Sequence, residues 1–582
     1  MSGNDDHISK IRHSLAHLLA AAVLELYPEA KPTIGPAIDN GFYYDFDCAS
    51  AISDKDLARI EDKMKEIVKS WQLFEDKTVT PDEAQQIFKG NPYKLELIRE
   101  ISAKNEVITI YTSGNFTDLC RGGHVDNPSA HIPRNSWRLD KVAGAYWKGD
   151  EKNKMLLRIY GLAFSTKDEL DEYSEQREEA KKRDHKKLGK ELDLFTFSDL
   201  IGGGLPLWTP KGTLMRDLLD SYVWQLRQKH GYVKVDIPHI TKKDLYEKSG
   251  HWDKFQEELF KIKTREKHEF VMKPMSCPHH TQIFARKPWS YRDLPQRYAE
   301  TTKVYRDEQS GELAGLSRVR AITQDDAHVF CRSNDVKNEM SKIWDIIAKF
   351  YGAFGFELSV RISLHDPDNM DKYLGDEETW IKSENELREL VKEKKSDYTE
   401  CAGEAAFYGP KIDFMGKDAL GREHQVATIQ LDMNLPERFD LFCINEKGDK
   451  ERIVMIHAAI MGSIERFLSI IIEHFAGAFP LWLSPVQISI LAVSDKHTEA
   501  AGRALEELNG AGIRAELTDP NISIGKRVRE IKMQKIPYWI VIGDKEASNN
   551  SAALEHRESK LGTLSIEDVI SKLRKEIVDK TL

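Results

Sequence analysis

Apolar residues recur at helical spacing near the start of the chain. In residues 8–26 the apolar positions that define this spacing are Ile8, Ile11, Leu15, Leu18 and Leu19. Their i, i+3, i+4 pattern is typical of an amphipathic helix. Short runs rich in aromatic and β-branched residues follow at 41–46 and 107–111, and these predict strands. The mixture predicts an α+β region that extends to about residue 164.

The segment 166–192 differs from what precedes it, because charged residues fill most of its positions. Its first half is acidic and its second half is basic, an order that complements the dipole of a helix. We interpret the segment as a solvated linker helix that marks a domain boundary.

Helical and strand-like segments alternate from about residue 193 to residue 480. Residues 215–230 have the spacing of an amphipathic helix, and the run 232–237 has the composition of a strand. A helix is predicted to begin near His457. Further strands are predicted at 357–362 and 425–431.

The last hundred residues follow the order strand, helix, strand, helix, strand. Apolar runs that alternate with helices predict a small α/β domain with a largely parallel sheet. The fold is therefore predicted to be multidomain, α+β and then α/β. Its predicted segments are 1–164, 165–192, 193–480 and 481–582.

Composition narrows the class of protein. The chain has 582 residues, of which 40% are hydrophobic, as in globular proteins of about three or four domains. Its net charge of −10 means that any nucleic-acid surface has to be local. Six scattered cysteines argue against a disulfide framework and for a cytoplasmic location. No apolar signal core or uninterrupted span is found, so no membrane association is expected.

Two histidine-containing pairs in the first region are candidates for chemistry. His13 and His17 lie four residues apart, which places both on one face of a helix. Cys120 and His124 have the same spacing, and Asp118 precedes them. Two interpretations stay open here: a metal site, and a metal-free pocket in which imidazoles and a carboxylate position water.

Other candidates are distributed over the middle of the chain. One cysteine and two histidines from separate segments, Cys277, His328 and His457, are a donor set that suits zinc with an open position. Arginines at 306, 318 and 466 suit phosphate binding, because a guanidinium is planar and always charged. No GxxxxGK[ST] loop is present, so a bound nucleotide has to be held by arginines and a sheet.

The motifs resemble those of a known family. The stretch 306–330 resembles motif 2 of the class II aminoacyl-tRNA synthetases, 462–467 resembles motif 3, and 232–238 resembles motif 1, the dimer-interface element. The segments that resemble the threonyl-tRNA synthetases in particular are 273–278, 407–411 and 455–457.

The resemblance covers nearly the whole chain and implies a function for each segment. Residues 1–164 would form an α+β editing domain, 193–480 an antiparallel class II catalytic core, and 481–582 an α/β anticodon-binding domain. The small ubiquitin-like domain that precedes editing in many members is expected to be missing. The implied activity is ATP-dependent threonine activation, transfer to tRNA(Thr) and hydrolysis of mischarged seryl-tRNA(Thr). Implied partners are tRNA(Thr), L-threonine, ATP with Mg²⁺, and a second copy bound through motif 1.

The resemblance also assigns roles to single residues. Zinc would be held by Cys277, His328 and His457. The reacting groups would be aligned by Arg306, Arg466, Gln324, Asp326 and Tyr408. ATP would be bound by Arg306, Glu308, Arg318, Gln430 and Arg466. The editing pocket would comprise His13, His17, Lys94, Asp118, Cys120 and His124, with Tyr44 as a weaker member, and tRNA would contact Asn521, Lys526, Arg527, Arg529 and Glu546.

Several positions differ from the usual family pattern. Ile322 stands where an aromatic residue commonly stacks on adenine, and Ser276 and His279 stand where Asn and Gly are usual. Ala458 and Glu555 each stand where an arginine is usual. These departures motivate one alternative to an active synthetase, a synthetase-like paralogue with a regulatory or inhibitor-resistance role. The N-terminal pairs motivate a second alternative, a zinc hydrolase centred on them.

Overall fold

The computed structural model describes residues 3–582, with side chains from Asp6 onward. The chain divides into two compact units between Glu178 and Glu179. The boundaries predicted at residues 164, 192 and 480 stay predictions.

The first unit is built on the long helix Gly3–Leu26, which packs its apolar stripe against an antiparallel sheet. Leu15 and Leu18 are fully buried in the same core as Phe42 and Phe46 of that sheet. The strand order is Lys31–Pro32, Gly41–Asp47, Met155–Ala163 and Trp137–Tyr146, and Ala37–Ile38 pairs with the second strand. A second antiparallel sheet consists of Glu75–Val79, Ile108–Ser113 and Phe116–Leu119. The other helices are Leu57–Ile67, Pro81–Ile87, Pro92–Ala103 and Pro128–His131.

The segment 166–192 forms two helices, Lys167–Arg183 and His185–Glu191. The break falls at Asp184, whose backbone is not helical. The Asp184 carboxylate accepts the Lys186 N–H at 2.7 Å and so begins the second helix.

An eight-stranded sheet, called here the core sheet, organises the second unit. Its strand order is Val233–Lys234, Gln296–Tyr305, Ala321–Cys331, Val454–Ala459, Glu423–Asp432, Lys411–Lys417, Glu357–Leu364 and Tyr398–Ala402. Pairing is parallel at the two edges and antiparallel between all inner strands. The antiparallel sheet predicted for this region is confirmed.

Helices cover the core sheet and bury its apolar positions. The longest of these, Pro210–Gln228, begins where the Thr209 hydroxyl accepts the Gly212 N–H at 3.2 Å and where proline occupies the first helical position. The other helices of this region are Lys243–Ser249, His251–Phe255, Cys277–Ala285, Val336–Gly352, Glu377–Glu393, Asn434–Arg438 and Ile464–His474. Short strands outside the core sheet are Phe195–Thr196, Leu207–Trp208, Ile240–Lys242, Lys261–Lys263, Glu269–Met272, Phe442–Ile444 and Lys450–Arg452.

The prediction of a helix that begins near His457 is wrong. His457 lies in Val454–Ala459, a central strand in which every residue is buried, and the helix begins at Ile464. A short run buried on both faces has no alternation, so periodicity cannot distinguish it from a buried helix. The strand predicted at 232–237 is also shorter than expected, since only Val233–Lys234 pairs.

The last region contains a five-stranded sheet in the order Ala515–Leu517, Ile488–Ala492, Tyr538–Ile542, Ser551–His556 and Lys560–Ser565. The first three strands are parallel, and the last two form an antiparallel hairpin that the sequence pattern did not predict. Its helices are Thr498–Gly510, Ile524–Met533, Asp544–Ser548 and Ile566–Asp579. The α/β class predicted for this region is confirmed.

None of the helices in residues 3–582 combines the length and the apolar composition that a membrane crossing requires.

Candidate active sites

Strand register brings the predicted catalytic residues to one face of the core sheet. Gln324, Asp326 and His328 alternate along one strand, so their side chains share a face. His328 lies opposite His457 on the next strand, and His457 lies opposite Gln430 on the strand after that. Directly opposed residues also share a face, so these five residues form one polar surface.

A buried Cys/His/His cluster lies on this surface. Cys277, at the start of the helix Cys277–Ala285, joins His328 and His457, and the three candidate ligand atoms lie within 4.8 Å of one another. His328 Nε2 and His457 Nδ1 are 3.1 Å apart. Tetrahedral zinc ligands at about 2.1 Å from the metal lie about 3.4 Å apart, so this spacing fits a shared cation. The cluster is a candidate metal site.

The two imidazoles of the cluster are held through their other ring nitrogens. His457 Nε2 lies 2.8 Å from Asp432 Oδ2, and His328 Nδ1 lies 2.7 Å from His280 Nδ1. Such partners orient metal-ligating histidines. Sequence reasoning missed Asp432, although its signal was present: Thr428, Gln430 and Asp432 alternate with apolar residues along one strand.

Burial raises the pKa of the Cys277 thiol well above its usual range. A buried thiolate needs a neighbouring positive charge, and a cation held by the cluster would supply it. His251, which sequence reasoning also missed, lies beside it, with Nε2 at 3.7 Å from the Cys277 sulfur.

Tyr408 closes one side of this surface. It is buried, its hydroxyl donates to Gln430 Oε1 at 2.7 Å, and its ring stacks on His457 at 4.9 Å between centroids. The predicted residues Gln324, Asp326, Tyr408 and Gln430 therefore lie on the same polar surface as the candidate metal site.

A cavity of about 420 Å³ adjoins this surface. Its lining residues are Arg306, Glu308, Ser317, Arg318, Val319, Ile322, Gln324, Ser463 and Arg466. Arg318 pairs with Glu308 at 2.7 Å, whereas the side chains of Arg306 and Arg466 form no ion pair within residues 6–582. Two unpaired guanidinium groups that line one cavity are suited to an anion. Ile322 lies on the wall of this cavity.

A buried carboxylate positions the segment that leads to Arg466. Asp325 accepts the N–H groups of Ile460, Met461 and Gly462 at 3.1, 3.2 and 2.8 Å. Arg227 lies 3.2 Å from the same carboxylate. Burial raises the pKa of Asp325 to about 6, and sequence reasoning did not identify its role.

The predicted editing residues converge in the first unit. His13, His17, Lys94, Asp118 and Cys120 line a cavity of about 450 Å³. His124 joins them, with Nε2 at 3.3 Å from the Cys120 sulfur. His13 Nε2 lies 3.6 Å from that sulfur on its other side.

Buried polar contacts fix the floor of this cavity. Lys94 forms an ion pair with Asp118, and the Tyr44 hydroxyl donates to the same carboxylate. Lys94 reaches it because Asn91 begins the helix Pro92–Ala103 by accepting the N–H groups of Tyr93 and Lys94 at 3.1 and 3.2 Å. Tyr44, which is fully buried, thus holds the Asp118 carboxylate from beneath the cavity.

Protonation states follow from burial. Burial lowers the pKa of His124 to about 2 and also lowers that of His13, so both imidazoles are neutral at neutral pH. Burial raises the pKa of Cys120 to about 11, so its thiol is protonated and is a poor nucleophile.

The predicted tRNA residues do not share one environment. Asn521, Lys526 and Arg529 are exposed, and Glu546 is half-buried with its carboxylate accepting the Gly543 N–H at 3.1 Å. Arg527 is only 2% exposed and donates to the Ala492 carbonyl at 2.9 Å. Its guanidinium therefore braces the domain interior.

Comparison with known proteins supports one family. Residues 260–475 match the family described as tRNA synthetase class II core domain (G, H, P, S and T), and residues 487–576 match the anticodon binding domain. The chain is 48% identical to the threonine–tRNA ligase of Flavobacterium johnsoniae over 98% of this chain and 88% of that protein. It is also 48% identical to that of Porphyromonas gingivalis, over 97% and 87%.

A solved structure is similar as well. It is the RNA binding domain of threonyl-tRNA synthetase from Cryptosporidium parvum, 36% identical, with a TM-score of 0.65. The similarity covers 68% of this chain and 98% of that one. With identity near one half over almost the whole of this chain, and over 87% or more of these two bacterial relatives, the chain belongs to the threonine–tRNA ligase family of class II aminoacyl-tRNA synthetases.

Proposed function

We propose that this chain activates threonine with ATP, transfers it to tRNA(Thr), and hydrolyses seryl-tRNA(Thr) in its first unit. The observation that supports the proposal is the polar face of the core sheet, where the Cys277, His328 and His457 cluster adjoins a cavity with unpaired Arg306 and Arg466.

The first reaction is adenylate formation. The threonine carboxylate attacks the α-phosphorus of ATP, the bond to the bridging oxygen breaks, and pyrophosphate leaves, with Mg²⁺ as the usual counterion of ATP. Arg306 and Arg466 neutralise charge on the phosphates, while Asp326 and Tyr408 orient the amine. A terminal ribose hydroxyl of tRNA(Thr) then takes the threonyl group and releases AMP.

Zinc fits the donor set of the cluster, which offers three N and S ligands and leaves one position open. When bound, it would supply a Lewis-acid site for the amine and hydroxyl of threonine. The chain's own contribution is to fix the two imidazoles through Asp432 and His280.

The proposed tRNA contacts lie in the last domain. Lys526 and Arg529 extend from the helix Ile524–Met533 into solvent, so a local basic surface exists on a chain of net charge −10. Arg527 is assigned a structural role because it is buried.

We further propose that two copies associate through the motif 1 region. The strand Val233–Lys234 lies at an edge of the core sheet, and Val233 and Ile240 are 51% and 48% exposed. An open edge with exposed apolar residues is suited to a second chain.

Threonine-dependent ATP–pyrophosphate exchange tests the activation step. We expect exchange by the unaltered chain with zinc present, and we expect Arg466→Ala to lower kcat by about 10²-fold, since a preorganised positive charge is lost. Arg503→Ala is the matched control, because Arg503 is exposed and pairs with the exposed Glu499 of its own helix. No exchange by the unaltered chain would favour the regulatory paralogue.

Hydrolysis of seryl-tRNA(Thr) tests the editing pocket. Cys120→Ala is expected to slow deacylation about 10²-fold, because the sulfur holds both His13 and His124 in place. Cys48→Ala, a half-buried cysteine of the same unit, should leave the rate unchanged. Zinc content distinguishes a metal-free editing pocket from a zinc hydrolase. One zinc ion per chain in both Cys120→Ala and Cys48→Ala fits a metal-free pocket, whereas two ions per unaltered chain would assign a metal to the cavity around Cys120.

A further inference from the structure

The loop between the strands Gln296–Tyr305 and Ala321–Cys331 ends in a tight turn, residues 314–317. The Ser317 N–H donates to the Ala314 carbonyl at 3.0 Å, and Gly315 has φ +57°. Arg318 follows the turn directly and lines the proposed nucleotide cavity. The position of this turn therefore contributes to the placement of Arg318, together with the ion pair between Arg318 and Glu308.

His185, at the start of a helix that precedes the core sheet, is bonded to this turn. The Leu316 N–H donates to His185 Nε2 at 3.1 Å. Because Nε2 accepts, the ring hydrogen is on Nδ1, which donates to Glu473 Oε1 at 2.7 Å. A Cβ on Gly315 would lie 2.4 Å from Nε2, so the turn approaches the imidazole as closely as glycine permits.

Glu473 connects His185 to the helix that bears Arg466. That helix is Ile464–His474, and Glu473 lies in its last turn, where its other oxygen accepts from Arg422 at 2.7 Å. Ser469 of the same helix lies 3.0 Å from Ser317, between hydroxyl oxygens. The turn is thus attached to the helix at two points, one direct and one through His185.

We propose that His185 is a positioning residue for ATP: it holds the 314–317 turn against the Arg466 helix, so that Arg318 and Arg466 face one cavity. None of the roles assigned from family motifs includes His185 or Glu473. The inference rests on the proposed function, since it assigns the nucleotide to that cavity.

The kinetics of ATP–pyrophosphate exchange and the rate of amide hydrogen exchange test this role. His185→Ala is expected to raise the KM for ATP roughly tenfold, to leave the KM for threonine within about twofold, and to speed amide exchange in a peptide that contains Leu316. His185→Gln should recover most of both effects, because its side-chain oxygen can accept the same N–H. His185→Phe keeps a ring without an acceptor and should behave like the alanine variant. It therefore tests the same role if the His185→Ala chain does not fold.

His365 provides a matched control. It is buried, its Nδ1 lies 2.7 Å from Glu384 Oε1, and its own N–H donates to that oxygen at 3.0 Å. Its Nε2 has no hydrogen-bond partner within residues 6–582, so His365→Ala removes an equivalent pair without touching the turn.

The outcomes are distinct. The inference would be overturned if both His185→Ala and His185→Phe left the KM for ATP and the amide hydrogen exchange at Leu316 unchanged. It would also be overturned if His365→Ala changed these two quantities equally. A chain without threonine-dependent exchange would overturn the proposed function instead, while amide exchange would still report whether His185 holds the turn.

Discussion

Valine is expected to be activated at least about 10⁴-fold less efficiently than threonine, measured as kcat/KM in ATP–pyrophosphate exchange. Valine is nearly isosteric with threonine, so shape discriminates poorly between them. The polar face of the core sheet, where we place threonine, is however lined by groups that form hydrogen bonds. Asp326 and the His328 and His457 imidazoles lie on this face, and Tyr408 closes one side of it. A site built to bond a hydroxyl leaves buried polar groups unpaired when the hydroxyl is absent.

Serine is the control substrate in the same assay. It presents the amine and hydroxyl of threonine and lacks one methyl group, which is worth about 1–3 kcal/mol, or roughly 10–200-fold. We therefore expect substantial serine activation and little valine activation. Valine within about 10²-fold of threonine would contradict a hydroxyl-selective pocket. The leak of serine gives a physical reason for the hydrolytic role that we propose for the cavity around Cys120.

Much of the site could be predicted from the sequence, because side chains at every second position of a strand lie on the same face of the sheet. Gln324, Asp326 and His328 follow one another at every second position, so their shared face could be predicted from a single strand. Their partners could not. His457 lies 129 residues from His328 and reaches it only through antiparallel pairing, and the apolar run around it predicted a helix.

The contacts that orient the site were the least predictable part. Asp325 binds backbone N–H groups of 460–462, and His185 binds the Leu316 N–H. Nearly every residue offers a backbone N–H, so such a donor has no sequence signature. A side chain that accepts a hydrogen bond from a backbone N–H distant in sequence therefore cannot be identified by its spacing. Family resemblance identified the residues that touch substrates in relatives, whereas residues that hold those in place required coordinates.

Cys277→Ala is expected to remove zinc and to lower threonine activation about 10³-fold. Three protein ligands leave little redundancy, and two imidazoles alone bind zinc much more weakly. Loss of a Lewis-acid contribution of about 4 kcal/mol corresponds to this rate change. The measurements are zinc content per chain after exhaustive dialysis and kcat/KM for threonine in exchange.

Cys401→Ala is the matched control for Cys277→Ala, because Cys401 is a half-buried cysteine of the same unit, at the edge of the core sheet and outside the cluster. It should retain one zinc per chain and activity within about twofold of the unaltered chain. The sharpest contradiction would be a Cys277→Ala chain that keeps its zinc. The other candidate groups within the described residues are His13, His17, Cys120 and His124, and Asp184, His185 and Glu473. Retained zinc would therefore remove the metal from the core sheet, and its loss from a Cys120→Ala chain would assign it to the first unit and favour the zinc hydrolase.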